Sequence, residues 1–236
     1  MVHKILKNPQ AVIGLALIVL ICAVALLAPI LAPNDPNAVN PLLKYQPASA
    51  QFPLGTDQLG RCELSRLLYG ARASLGLAFP ILILLGGIGL ILGMIAACIG
   101  GRFDQIITGI SQIFIAFPTL IIAVAIIGIQ GNGLQNIIWA VVISMWARFM
   151  QLIRTYAKTE LSRDYVTAAK VSGCGMWQII FHHLIPNILP QFLVYFSTGV
   201  ASAILTVSSF SFLGLGLPSG TAEWGAMLPC ILILSC

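Results

Sequence analysis

Side chains able to do acid–base, nucleophilic or metal chemistry are few in this chain, and their spacing argues against a catalytic centre. Two of its three His are adjacent, His182 and His183. Successive residues of a helix do not share a face, and no His-Glu-x-x-His pattern surrounds them. The cysteines are scattered. Cys22 and Cys98 fall in apolar runs, where a thiol acts as a small apolar group. Cys174 lies in a stretch expected on the reducing side. Cys62, Cys230 and Cys236 give no readable disulfide framework. A soft-ligand role for Cys62 lacks nearby histidines. There is no G-x4-G-K-[ST] loop and no Gly-Lys dipeptide to cradle nucleotide phosphates. The expectation is a chain with no catalytic residue, no metal ligand and no bound cofactor.

What the spacing offers instead is a docking surface. Tyr156–Ser172 is helix-compatible and carries Lys158, Glu160, Arg163, Asp164 and Lys170. Glu160 and Asp164 can each pair with Arg163 or Lys158 across a turn. Ala168 and Ala169 leave a flat helix face that another surface can approach closely. Gly173 and Gly175 permit the positive-φ turn that ends such a helix. Met176–Leu184 can form a second short helix, and Pro186 suits the first turn of the next element. The residues alone fit an amphipathic linker as well as a helix-turn-helix presented to a partner.

The elements that hold this stretch must be membrane helices. Of 236 residues, 58% are hydrophobic and 8% charged, with a mean hydropathy of +0.98. A soluble domain carries about 25% charge, so a soluble enzyme, a nucleic-acid module and a disordered chain are excluded. No Asp, Glu, Lys or Arg lies between Lys7 and Asp35, Arg72 and Arg102, Asp104 and Arg148, or Lys170 and Glu223. A span needs roughly 20 apolar residues. The gaps hold five: about 11–31, 75–99, 105–129, 134–153 and 188–213, with Gln130-Gly131-Asn132-Gly133 dividing the third gap. Helices are expected because each backbone group must find its partner within its own segment. The first run is long and ends in Pro-Asn-Asp-Pro-Asn, which fits a retained helix better than a cleaved signal.

The basic residues set an orientation. With the N-terminus in the cytoplasm, that side holds Lys4, Lys7, Arg102, Arg148, Arg154, Lys158, Arg163 and Lys170, and the outside only Lys44, Arg61, Arg66 and Arg72. An excess of Lys and Arg marks cytoplasmic loops. The chain then divides into a cytoplasmic N-terminus (1–10), a first span (11–32), an extracytoplasmic segment with an amphipathic helix (33–72) and a core (73–236) with a cytoplasmic loop at 154–187. The outer segment reads either as a connector or as a surface for an extracytoplasmic partner. In the second span, Gly89-x3-Gly93 permits close helix contact. Pro118 is expected to kink the third. No charge lies deep in a span. That weakens the rival reading from composition, a secondary transporter or channel without an ATPase partner.

Thr167-Ala168-Ala169-x3-Gly173, followed by His183-Leu184-Ile185-Pro186-Asn187, resembles the EAA loop of ABC-importer permeases, written Glu-Ala-Ala-x3-Gly-x9-Ile-x-Leu-Pro. The alanines, Gly173 and Pro186 fall in register. Thr167 replaces the glutamate, His183 the isoleucine and Ile185 the leucine. Tyr165-Val166 and His183 through Asn187 are similar to the peptide and nickel branch. So are Leu54-Gly55-Thr56-Asp57 with Leu59-Gly60-Arg61 and Ser65-Arg66-Leu67, and Ser211–Gly216 with Ala222-Glu223-Trp224-Gly225-Ala226-Met227. Cys62 stands where the branch usually has aspartate.

The resemblance implies an all-α polytopic membrane protein, a type I ABC-importer-like helical bundle. Its sixth span, expected after Met227, is missing or truncated in Leu228–Cys236. The same resemblance implies a permease subunit for peptides or nickel or metal chelates. Its partners would be a second homologous permease subunit, two ATP-binding-cassette ATPase subunits holding ATP and Mg, and an extracytoplasmic substrate-binding protein. Thr167, Ala168, Ala169, Lys170, Gly173 and Pro186 would couple to the ATPase. Asp57, Arg61, Arg66, Glu223 and Trp224 would face the binding protein.

Overall fold

The computed structural model describes residues 9–131, 133–218 and 220–228. The residues where the sixth span was expected, beyond 228, lie outside that range. The described residues are helical apart from connecting turns and one antiparallel bridge, Thr56 to Cys62. The helices are α1 (Pro9–Leu31), α2 (Glu63–Ile99), α3 (Gly101–Ala116), α4 (Thr119–Gln130), α5 (Leu134–Leu161), α6 (Asp164–Val171), α7 (Met176–Ile179) and α8 (Ile185–Phe212). A 3-10 turn spans Pro41–Leu43, and a π-helical turn over Ile180–Leu184 joins α7 to α8.

Four helical stretches are long and apolar enough to cross a membrane: Val12–Leu31, Glu63–Ile99, Leu134–Leu161 and Met176–Phe212. The pair α3–α4, bent by 88°, makes a fifth when it is taken as one broken span. The break falls at Pro118, as the sequence predicts. Phe117 is extended (φ −91°, ψ 141°), and Pro118 has no N–H to continue the helical ladder. Two elements differ from expectation. The outer amphipathic helix is not separate, because Glu63 opens a 37-residue helix that runs into the second span without interruption. The helix expected from Tyr156 to Ser172 is two: α5 continues to Leu161, and α6 starts afresh at Asp164.

The chain divides into two compact units, one of Met1–Leu77 with Ser208–Cys236 and one of Ala78–Val207. In the second, α2 and α5 meet at glycine. A Cβ at Gly89 would stand 2.8 Å from Phe149 Cβ, and one at Gly93 2.7 Å from the Met150 carbonyl oxygen. Gly86 meets Phe192 and Phe196 of α8 in the same way, whereas Gly87 faces open space. The Gly89-x3-Gly93 pair is therefore a packing seam, where only the absence of a side chain lets the backbones approach.

Candidate functional site

The stretch after α5 folds onto a core of its own. Met94 and Ala97 of α2, Ile153 and Ala157 of α5, Val166 of α6, Ile179 of α7, Leu184 and Ile188 form one buried cluster. The loop is thus held by side chains of α2, α5 and α8 together with its own.

Each joint has a local cause. Arg163, in extended conformation, precedes α6. Asp164 sits in its first turn and Lys170 in its last, the charge order a helix dipole favours. The helix ends in a Schellman motif: Cys174 N–H donates to Ala169 O (3.0 Å) and Gly173 N–H to Lys170 O (3.0 Å). Gly173 has φ +84°, and no atom lies within 4 Å of where its Cβ would be, so its requirement is conformational, not steric. Gly175 N–H donates to Gln178 Oε1 (3.1 Å) at the start of α7. Beyond the π turn, Pro186 falls in the first turn of α8, and Ile185 N–H reaches back to Ile180 O.

Tyr165 ties the loop's two legs together. Its hydroxyl donates to Glu160 Oε2 (2.7 Å) and accepts from Asn187 Nδ2 (3.2 Å), which also donates to His183 O (2.7 Å). The rings of Tyr165 and His183 lie 5.8 Å apart. Burial, then the neighbouring Glu160 carboxylate, push the phenol above its usual pKa, so it remains a donor. Tyr165, His183 and Asn187, separate in the sequence pattern, are one hydrogen-bonded junction.

The two alanines part company here. Thr167, Ala168 and Lys170 are exposed, and Val171 is 85% exposed. Ala169 is half-buried against the loop's own core. The outer surface continues onto Trp177 and Phe181, stacked with ring centroids 6.1 Å apart. The expected pairing of Lys158 with Glu160 or Asp164 is not formed. Lys158 Nζ lies 2.5 Å from Asp104 Oδ2, and only Arg163 pairs with Glu160, at 3.7 Å. Asp104, which sequence reasoning used only as a span boundary, also takes Arg154 through Nε and Nη2. The available signal was the i, i+4 spacing of Arg154 and Lys158.

The residues expected to face a binding protein lie in the other unit, and its interior holds them. Asp57, Arg61, Arg66 and Glu223 are all buried. Asp57 accepts the N–H groups of Leu59 (2.8 Å) and Arg61 (2.9 Å) and pairs with the Arg61 guanidinium at 2.6 Å. Arg66 donates to the carbonyls of Pro36 (3.1 Å) and Gly220 (3.3 Å) and stands 3.7 Å from Asp57. Trp224 is half-buried, its Nε1–H donating to Leu67 O (3.1 Å), with Gly70 beneath the ring. Glu223 Oε1 accepts from Gly225 N–H (3.2 Å), while Oε2 has no hydrogen-bond partner among the described residues. Charged residues at this spacing suggested a surface. Instead the two sequence stretches, 54–67 and 220–225, pack against each other, and their charges satisfy turn backbone that has no sheet or helix to pair with. Of these five, only Arg61 borders the open cleft of this unit, about 1290 Å³, together with Asn34, Asp35, Tyr69 and Arg72.

Among the described residues, no three His, Cys, Asp or Glu side chains gather as metal ligands. Cys62 is buried, and although burial alone would raise its thiol, hydrogen bonds with Ser65 and Asn34 bring it below its usual pKa.

Helices long and apolar enough to cross a membrane, with one loop folded onto their ends, make this a polytopic membrane protein. Residues 89–236 match the family described as binding-protein-dependent transport system inner membrane component, and residues 1–48 the N-terminal transmembrane domain of oligopeptide transport permease C. The chain belongs to this family of multi-pass inner-membrane permease subunits of ABC importers. It is 36% identical over 216 residues to the nickel transport system permease protein NikC of Escherichia coli, covering 92% of this chain and 78% of that one. It is 39% identical over 229 residues to the di/tripeptide transport system permease protein DppC of Pseudomonas aeruginosa (94% and 75%). It is 38% identical over 225 residues to the metal-staphylopine import system permease protein CntC of Staphylococcus aureus (95% and 78%).

Proposed function

We propose that this chain forms half of a translocation pathway for peptides or for nickel or other metal chelates, paired with a second homologous permease subunit. Two separate ATPase subunits, carrying ATP and Mg, sit beneath the pair. An extracytoplasmic binding protein delivers substrate. The N-terminus and the loop at 154–187 are cytoplasmic. The ATPase seats against α6, at Thr167, Ala168, Lys170 and the Val171 edge, with Gly173 setting the turn and Pro186 starting the span behind it. Hydrolysis is the partner's work.

The observation that carries this reading is the two-sidedness of the loop. One side is locked into the bundle by Val166, Ile179 and Leu184, all at most 1% exposed, while the other presents small and apolar residues with no cover from this chain. A load applied to that outer side is transmitted to α2, α5 and α8 together. The chain's relatives are permeases for nickel, di/tripeptides and metal-staphylopine, and the binding protein decides between these classes. Cross-linking tests the docking: with Ala168→Cys in an otherwise cysteine-free permease, a short bifunctional reagent should join the permease to the ATPase. Cross-linking absent at Ala168 but present from a control position on the opposite face would contradict the assignment. Titrating the partner binding protein with Ni²⁺ and with dipeptides distinguishes the two substrate classes.

A further inference from the structure

The helix that carries the loop, α5, is fastened to α3 by a graded series of contacts. Nearest the loop, Asp104 in the first turn of α3 lies between Arg154 and Lys158, one turn apart on α5. Arg154 binds it through two nitrogens, Nη2 at 2.7 Å, and Lys158 Nζ at 2.5 Å. Further along, Gln151 Nε2 donates to Ser111 Oγ at 2.8 Å. Further still, Trp146 meets Phe114 edge-on with ring centroids 5.4 Å apart. The contacts ascend α3 from 104 to 114 as they descend α5 from 158 to 146. This series runs to the end of α3, at the 88° bend, and beyond the bend α4 packs against the first half of α5.

The Asp104 side chain is 7% exposed and that of Arg154 21%. A carboxylate this sheltered, held by a bidentate guanidinium and an ammonium, cannot part from them without stranding charge. The position at a helix N-terminus adds to its hold. The joint at Phe117–Pro118 has no such fastening. Its backbone leaves the helix, and Pro118 contributes no N–H.

We propose that Asp104 is a positioning residue for energy coupling. It locks α3 to the stem of the loop, so that a displacement of the loop moves α3 and α5 as one strut and is delivered to the bend at 117–118. This rests on the coupling reading above, and the test separates the two.

The complete importer, reconstituted with its ATPase and binding protein, would carry Asp104→Asn, Asp104→Glu or neither. ATPase co-purification reports on docking, and the ratio of substrate transported to ATP hydrolysed reports on the strut. The expected result for Asp104→Asn is wild-type permease level, ATPase retained and hydrolysis continuing, with the ratio down by about tenfold or more. Asp104→Glu should restore much of it. Spin labels at Gly109, where an added Cβ meets open space, and at exposed Thr155 should keep one separation through the ATP cycle in the wild type and several in Asp104→Asn. An unchanged transport ratio in Asp104→Asn would overturn the proposal. So would loss of permease level or of bound ATPase in both Asn and Glu variants, since the cluster would then only support the fold. Failure of the docking reading would appear elsewhere, as ATPase retained by Ala168→Glu.

Discussion

Ala168 and Ala169 are neighbours with opposite surroundings, and substitutions should separate their roles. A large side chain at Ala169 must enter the loop's own core, where overpacking costs about 1–3 kcal/mol. Ala169→Glu is therefore expected to lower the thermal stability of the purified permease even without its partners, whereas Ala168→Glu should not. Gly173 gives a second discrimination. Its φ of +84° is a conformation asparagine adopts at helix ends and a β-branched residue does not. With open space around it, Gly173→Asn should keep ATPase binding near wild type. Gly173→Val should lose about 1–2 kcal/mol and reduce binding, as read by co-purification. In the other unit, Arg66→Ala removes the donor to the carbonyls of Pro36 and Gly220 while Asp57 keeps Arg61, and should destabilise by about 1–3 kcal/mol. Glu223→Gln removes a buried charge with an unsatisfied oxygen and should leave the melting temperature unchanged or higher. A fall comparable to that of Arg66→Ala would show that Glu223 is paired in the assembled importer.

The elements show which features of the sequence carried information. Apolar runs bounded by charge located the four long apolar helices and the bent α3–α4 pair, because a bilayer-crossing helix has no other way to satisfy its backbone. Pro118 marked the break in the third, and Gly173 with Pro186 marked the loop's two turns, because each residue restricts the backbone locally. Long-range pairing was not legible. The i, i+4 spacing of Arg154 and Lys158 signals a shared acidic partner, but nothing near Asp104, about fifty residues away, identifies it as that partner. The charged stretch at 57–66 looked like surface because its partners, residues 36 and 220–221, are remote. The start of α2 was misplaced for a related reason: an amphipathic turn and an apolar span can share one unbroken helix. Since α6 and α7 are short, their stability comes from the cluster beneath them, not from helix propensity. Leu184→Ala should cost about 2–5 kcal/mol and expose the loop to limited proteolysis between 162 and 176, with the spans still inserted. Equal protease resistance in that variant would mean that the cluster does not hold the loop.

For the whole molecule, the loop and the segment 33–72 are expected on opposite sides of the membrane. In a cysteine-free background, an impermeant thiol reagent should label Gln46→Cys in intact cells and label Gln178→Cys only after lysis. The reverse pattern would invert the assembly. The central claim is that force enters the permease through the exposed side of α6. The Ala168 side chain is free of this chain's core and the spans lie behind it, so a charge there should be harmless until a partner must cover it. Ala168→Glu in the complete importer, assayed for membrane level, bound ATPase and substrate uptake, is the most direct measurement. Permease at wild-type level with both bound ATPase and uptake lost is the predicted result. ATPase and uptake both retained at wild-type level would contradict it.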